Sequence, residues 1–162
     1  MSDKNKKVYT SGSWDMFHVG HLNILEKSKK VGDYLVVGVS NDELIKEYKG
    51  IAPVIPFADR FRIIESLACV DLVVEQHILT EITQLQELEI DVVTIGDDWI
   101  GKHLDGLEWM KNQDGKEVLY MEYTPSVSST GIKQKIINST YEIITAQFQR
   151  EIKAMEEWKR KQ

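Results

Sequence analysis

The run Leu35-Val36-Val37-Gly38-Val39 constrains the fold more than any other stretch of this chain. It is continuously apolar and rich in β-branched residues, the pattern of a strand buried on both faces. Such strands belong to parallel sheets, whose crossovers are long enough to hold a helix. Residues 8–12 predict a strand before it. Residues 22–30 carry Leu22, Ile24 and Leu25 on an amphipathic helix, with Gly32 placed to end it. Strand, helix and strand in this order predict a right-handed βαβ unit.

The rest of the chain repeats the pattern. Residues 41–50 read as a loop after the second strand, and Pro53 and Pro56 bracket another loop before a helix at 57–67. Strands are predicted at 70–75, 90–95 and 118–123. Between them lie a helix at 79–89, with Ile82, Leu85 and Leu88 on one side, a short helix at 103–110 and a turn at 112–116. The expected fold is α/β. It is a Rossmann-like single domain over 1–137, with a five-stranded, mainly parallel sheet and helices on both faces. A helical extension over 138–162 follows, with Tyr141, Ile144, Phe148, Ile152 and Met155 at three- and four-residue spacing. That extension either packs on its own domain or joins two subunits.

Composition narrows the function classes. The net charge of −6 argues against bulk nucleic-acid binding while leaving room for a local basic pocket. No apolar run reaches membrane-spanning length and the first residues lack an apolar signal core, so a cytoplasmic protein with no membrane partner is expected. The single cysteine, Cys69, allows no internal disulfide. Lys4, Lys6 and Lys7 read as a solvated, frayed terminus.

The chemistry concentrates where the first predicted strand passes into the first helix, through Ser11-Gly12-Ser13-Trp14-Asp15-Met16-Phe17-His18-Val19-Gly20-His21. Ligands of open α/β sheets bind just past such strand ends, and a helix start presents free N–H groups and a positive dipole end to phosphate. His18 and His21, three apart, project from one side of that start, and Gly20 between them lets a ligand approach the backbone. A lone histidine there is commonly a cap or a surface residue; two framing a glycine after strand-Gly-Ser-x-Asp form a more specific pattern. Zinc needs three or four ligands, which the paired histidines lack, and no protein-held metal is expected. No G-x-G-x-x-G is present, so a dinucleotide site is excluded. Asp97 and Asp98 after the fourth strand read as Mg²⁺ or ribose ligands, or as turn formers. The hydroxyls of Ser128, Ser129 and Thr130 read as a helix cap able to share its N–H groups with phosphate.

Residues 12–21 resemble the G-x-F-D-x-x-H-x-G-H signature of the cytidylyltransferase-like nucleotidyltransferase superfamily, in particular its bacterial glycerol-3-phosphate cytidylyltransferase branch. The resemblance runs from about residue 8 to residue 136. It implies an enzyme that joins a nucleoside triphosphate, CTP with Mg²⁺, to a small phosphorylated substrate and releases pyrophosphate. His18, His21, Arg60 and Lys49 are then the implied catalytic residues. Ser11, Gly12, Ser13, Asp15, Gly20, Gly96, Asp97, Asp98, Thr124, Val127, Ser128, Ser129 and Thr130 are the implied nucleotide-binding set, and Lys46, Lys49 and Trp99 face the acceptor. Members are commonly homodimers. Two positions depart from the family pattern. Ala68 and Tyr123 stand where the family usually carries arginines, and the second of those arginines helps hold the nucleotide. An adenylyltransferase acting on a phosphorylated cofactor precursor, or a nucleotide-binding regulator without turnover, are the alternative readings.

Overall fold

A computed structural model of the chain describes residues 5–125 and 127–161, so Lys4 of the sequence reading lies outside the described residues. The chain forms two compact units, residues 1–126 and residues 127–162.

The first unit is built on five strands: β1 (Lys7–Gly12), β2 (Tyr34–Ser40), β3 (Leu72–Gln76), β4 (Val92–Gly96) and β5 (Glu117–Met121). They lie in the order β3-β2-β1-β4-β5. All four pairings are parallel, where the sequence suggested a mainly parallel sheet. The chain therefore winds outward from β1 in one direction and then crosses to β1's other side. The boundary between β1 and β4 is the topological switch point, where open α/β sheets place their ligands.

Alternate residues of each strand feed two cores. Val8, Leu35, Val37, Val39 and Val92 pack with Leu25 of α1 (Val19–Lys29) and Ile64 of α3 (Phe57–Glu65). Tyr9, Val36, Val93 and Ile95 pack with Leu85 of α4 (Ile82–Glu87) and with Leu107 and Met110 of α5 (Asp105–Lys111). Helices thus cover both faces, which is why the strands read as unbroken apolar runs.

Three local expectations are corrected. Residues 42–49 form a helix, α2 (Asp42–Lys49), and not a loop. Asn41 caps it by accepting the Leu44 N–H, and Gly50 closes it at φ 73°. Gly32 does not terminate α1, which ends at Lys29 with Lys30 as its C-cap. A side chain at Gly32 would instead strike the Lys6 carbonyl, so Gly32 is there for close approach. Lys6 and Lys7 are not frayed. The Lys6 carbonyl accepts from the N–H groups of Asp33 and Tyr34, its N–H donates to Asp33, and the Lys7 ammonium donates to the Leu88 carbonyl.

The second unit is one helix, α6 (Ser129–Arg160), 32 residues long with none buried. Ser128 caps it by accepting the Gly131 N–H at 3.0 Å. Among the described residues no helix is long and apolar enough to cross a membrane.

Candidate active site

The site grows from the carboxyl end of β1. Gly12 lies under the Trp14 ring, whose indole N–H donates to the Gly38 carbonyl at 2.9 Å and fixes the turn to β2. Trp14 and Met16 both hold left-handed backbone (φ 52° and 51°), a strained arrangement for side-chain-bearing residues. Between them Asp15 is buried, and its carboxylate accepts the N–H groups of Val54 and Ile55 at about 3 Å. Asp15 therefore anchors the segment after α2.

His18 is the N-cap of α1, and its carbonyl accepts from the N–H groups of His21 and Leu22. Its side chain makes no cap bond and stacks on His21, ring centroids 3.7 Å apart and planes 17° apart. Trp14 meets His21 edge-on and Phe17 lies tilted against it. Among the described residues the Nδ1 atoms of both histidines are buried without a hydrogen-bond partner. Burial, with the positive fields of His18 and Lys49, pushes the His21 pKa down to about 3 against the opposing pull of Asp15. Burial lowers that of His18 as well. Both rings are neutral near pH 7, each with one N–H and one acceptor nitrogen.

Two cations approach the same turn by different routes. The exposed Lys49 ammonium, at the end of α2, donates to Ser13 Oγ at 3.0 Å, while Lys46 is exposed one turn earlier. Arg60 has no exposed surface. Its guanidinium donates to the carbonyls of Ser13, Ser40 and Ile55 and pairs with Asp42 at 2.6 Å. The resemblance implied a catalytic Arg60; in the structure its guanidinium braces the turn after β1 against β2 and α2.

Below the turn, Gln76 at the end of β3 is buried, donates to Ser11 Oγ and accepts from Ser40 Oγ. The Tyr48 hydroxyl bonds to Ser13 and Ser40, and burial pushes its pKa up. Neither Gln76, Tyr48 nor Asp42 was singled out from sequence. The signal available for Gln76 was a polar residue at the end of an apolar strand. Tyr48 was hidden by the missed helix α2.

On the other side of the switch point, β4 runs through Gly96 into a 3₁₀ turn, Asp97–Trp99. Asp98 is exposed, and its Oδ1 folds back to within 2.5 Å of where a Cβ on Gly96 would lie, a contact that the side chain can relieve by rotating. Trp99 packs on the core beside β4, with the Lys102 ammonium 4.9 Å from its ring centroid. Helix α1 is tied to this side through Ser28–Thr94 (2.7 Å) and Asn23–Thr124 (3.1 Å). Among the described residues no three His, Cys, Asp or Glu side chains converge into a metal cage. In the second unit, Val127 and the capping Ser128 precede Ser129 and Thr130, which open α6.

Comparison with known proteins decides the family. A model of the cytidylyltransferase-like family matches residues 9–135. The chain belongs to that family of nucleotidyltransferases. This nucleotidyltransferase is 39% identical over 132 residues to the glycerol-3-phosphate cytidylyltransferase of Bacillus spizizenii, covering 80% of the chain and 95% of that protein. It is 36% identical over 135 residues to the bifunctional protein HldE of Helicobacter pylori, with 83% of the chain covered. The match spans only 28% of that longer protein. The lipopolysaccharide core biosynthesis protein of Thermoplasma volcanium superposes with a TM-score of 0.60 at 28% identity, over 75% of this chain and 98% of that one.

Proposed function

We propose that this nucleotidyltransferase moves a cytidylyl group from CTP to a small phosphomonoester of the glycerol 3-phosphate type. An acceptor phosphate oxygen attacks the α-phosphorus, a new P–O–P bridge forms, and the bond to the β-phosphate breaks, its electron pair leaving with pyrophosphate. A phosphate monoester is already an adequate nucleophile, so the protein's part is alignment and charge compensation.

The observation that carries this reading is the stacked His18–His21 pair, neutral and with unpartnered ring nitrogens, at a helix start on the sheet's switch point. An imidazole N–H there is a preset donor to phosphate oxygens, and the first N–H groups of α1 add to it. Lys49 places the acceptor phosphate, with Lys46 as a secondary contact. Arg60, Gln76 and Tyr48 hold Ser11 and Ser13 in place. Asp97 and Asp98 suit the ribose hydroxyls or the open positions of a Mg²⁺ carried in on the triphosphate, which keeps most of its ligands from phosphate and water. When bound, that Mg²⁺ neutralises charge on the polyphosphate. The family resemblance assigns the Ser128-Ser129-Thr130 helix start to the phosphates, and the Bacillus relative supports the choice of CTP and of acceptor.

The test crosses CTP and ATP, with Mg²⁺, against a panel of small phosphomonoesters that includes glycerol 3-phosphate, following pyrophosphate. Release with CTP and a glycerol phosphate is expected. Release with ATP alone would transfer the reading to an adenylyltransferase, and nucleotide binding without release would make the chain a regulator.

A further inference from the structure

Beneath the turn after β1, hydrogen bonds join polar side chains into one line across the carboxyl end of the sheet. The Gln84 amide donates to the Glu75 carbonyl at 2.9 Å and accepts from the Tyr9 hydroxyl at 2.9 Å. Tyr9 bonds in turn to Ser11, further along β1. Gly38 lies opposite on β2, and a side chain there would strike the Tyr9 hydroxyl. Ser11 Oγ accepts from the Gln76 amide at 3.0 Å, and the Gln76 side-chain carbonyl accepts from Ser40 at 2.7 Å. Tyr48 bridges Ser40 to Ser13, whose Oγ accepts from Lys49 at 3.0 Å. Burial pushes the pKa of both tyrosines up, so each keeps its proton to donate.

The two ends of this line act in one sense only. A backbone carbonyl has no proton to give, and an ammonium has no lone pair to accept with. The Glu75 carbonyl therefore takes the nitrogen of Gln84, which turns the Gln84 oxygen to the Tyr9 O–H. Tyr9 has then given its proton and takes one from Ser11. Ser11 takes one from the nitrogen of Gln76, and the Gln76 oxygen is left to face Ser40. The same succession runs through Tyr48 to Ser13, which keeps a lone pair for Lys49. Both ends impose the same direction, so the orientation of every group between them is fixed.

We infer that Gln76 is a positioning residue for Lys49: its side-chain oxygen, held toward Ser40, keeps the Ser13 hydroxyl turned so that a lone pair holds the Lys49 ammonium. The protons of Ser11 and Ser13 both point along the chain, so neither hydroxyl donates to a phosphate oxygen. Without the Gln76 oxygen, Ser40 turns its proton to Tyr48 and Tyr48 turns its own to Ser13. A second donor then competes for the oxygen that held Lys49. Gln76→Met removes that oxygen, whereas Gln76→Glu keeps one toward Ser40 whether its carboxyl is ionised or not. The consequence for catalysis rests on the reading of Lys49 as the acceptor-phosphate contact, because the chain then sets where that phosphate lies.

The experiment reads the Lys49 amine directly. The full chain is acylated with a limiting amount of acetic anhydride, and modification at Lys49 is measured by peptide mass spectrometry relative to Lys46, an exposed lysine on the same helix. Tyr48→Phe interrupts the chain at a second point while keeping the ring that lies 5.4 Å from the Lys49 ammonium. Gln76→Met and Tyr48→Phe are each expected to raise the Lys49-to-Lys46 ratio roughly three- to ten-fold, the effect of losing one hydrogen bond. Gln76→Glu is expected to stay within about two-fold of the native protein. A merely structural Gln76 predicts the opposite order, since a buried carboxyl disturbs a fold more than a thioether does. An unchanged ratio in folded Gln76→Met and Tyr48→Phe, or a ratio raised equally by Gln76→Glu, overturns the inference. In the pyrophosphate assay Gln76→Met and Tyr48→Phe are expected to raise the acceptor KM about three-fold or more, with the KM of CTP within about two-fold. A native protein that releases no pyrophosphate counts against the cytidylyltransferase reading, while the labelling ratio still decides the role of Gln76.

Discussion

The imidazole rings of His18 and His21 lie face to face, 3.7 Å between centroids, with both Nδ1 atoms buried and unpartnered. Two cationic rings at that distance would repel strongly, so the stack exists only while at least one ring is neutral. In the reaction proposed above, a triphosphate brought against it would supply the acceptors that the rings lack.

This sets a pH dependence. The folded His21 pKa of about 3 lies below the ordinary value of 6.5, so unfolding takes up a proton anywhere between them. The stability His21 contributes is complete above about pH 6.5 and declines as pH falls toward 3. At pH 5 the loss is at most about 2 kcal/mol. Urea unfolding at pH 7.5 and pH 5.0 is expected to show it in the native protein, and His21→Gln is expected to reduce it. An equal loss in both proteins would remove His21 as the source.

Replacing Arg60 by Met leaves the carbonyls of Ser13, Ser40 and Ile55 and the Asp42 carboxylate without their donor. A loss on the order of 3 kcal/mol in chemical unfolding is expected. Lysine is expected to restore little, because its ammonium lacks the guanidinium fork that reaches four acceptors on different elements.

Gly106→Ala sets helix propensity against packing. Alanine favours α5 by about 1 kcal/mol. A methyl group at Gly106, however, meets the Thr80 carbonyl, backbone held at φ 50° that has little freedom to yield. Packing prevails, and a Tm lower by roughly 5 °C is expected in calorimetry.

Lys49→Ala removes an exposed cation that reaches Ser13 from the end of α2. Its expected effect is a ~10-fold or larger rise in the KM of the acceptor phosphate, with the KM of CTP changed by less than about two-fold. Equal rises for both substrates would place Lys49 on the nucleotide.

The parallel sheet and the two-faced core were legible because buried parallel strands carry unbroken apolar runs, as at Leu35–Val39. The His18–His21 start was legible from a spacing of three at a strand-to-helix junction. Helix α2 was not, since Asn41-Asp42-Glu43 looks like a turn until Asn41 is seen accepting the Leu44 N–H. The place of Arg60 was not legible either. Sequence marks an arginine near a phosphate site, whereas three backbone carbonyls from separate segments decide that it is buried. Gln76 was missed for the same reason, its partners Ser11 and Ser40 being 65 and 36 residues away.

The central claim is that the histidine pair at the start of α1 stabilises the transferring phosphate. Pyrophosphate release from CTP and glycerol 3-phosphate by His21→Ala, beside equilibrium CTP binding and the circular dichroism of the same sample, tests it most directly. The account predicts turnover reduced by a factor of about 10² or more in a protein that stays folded and still binds CTP. Turnover within a few-fold of the native protein would contradict it.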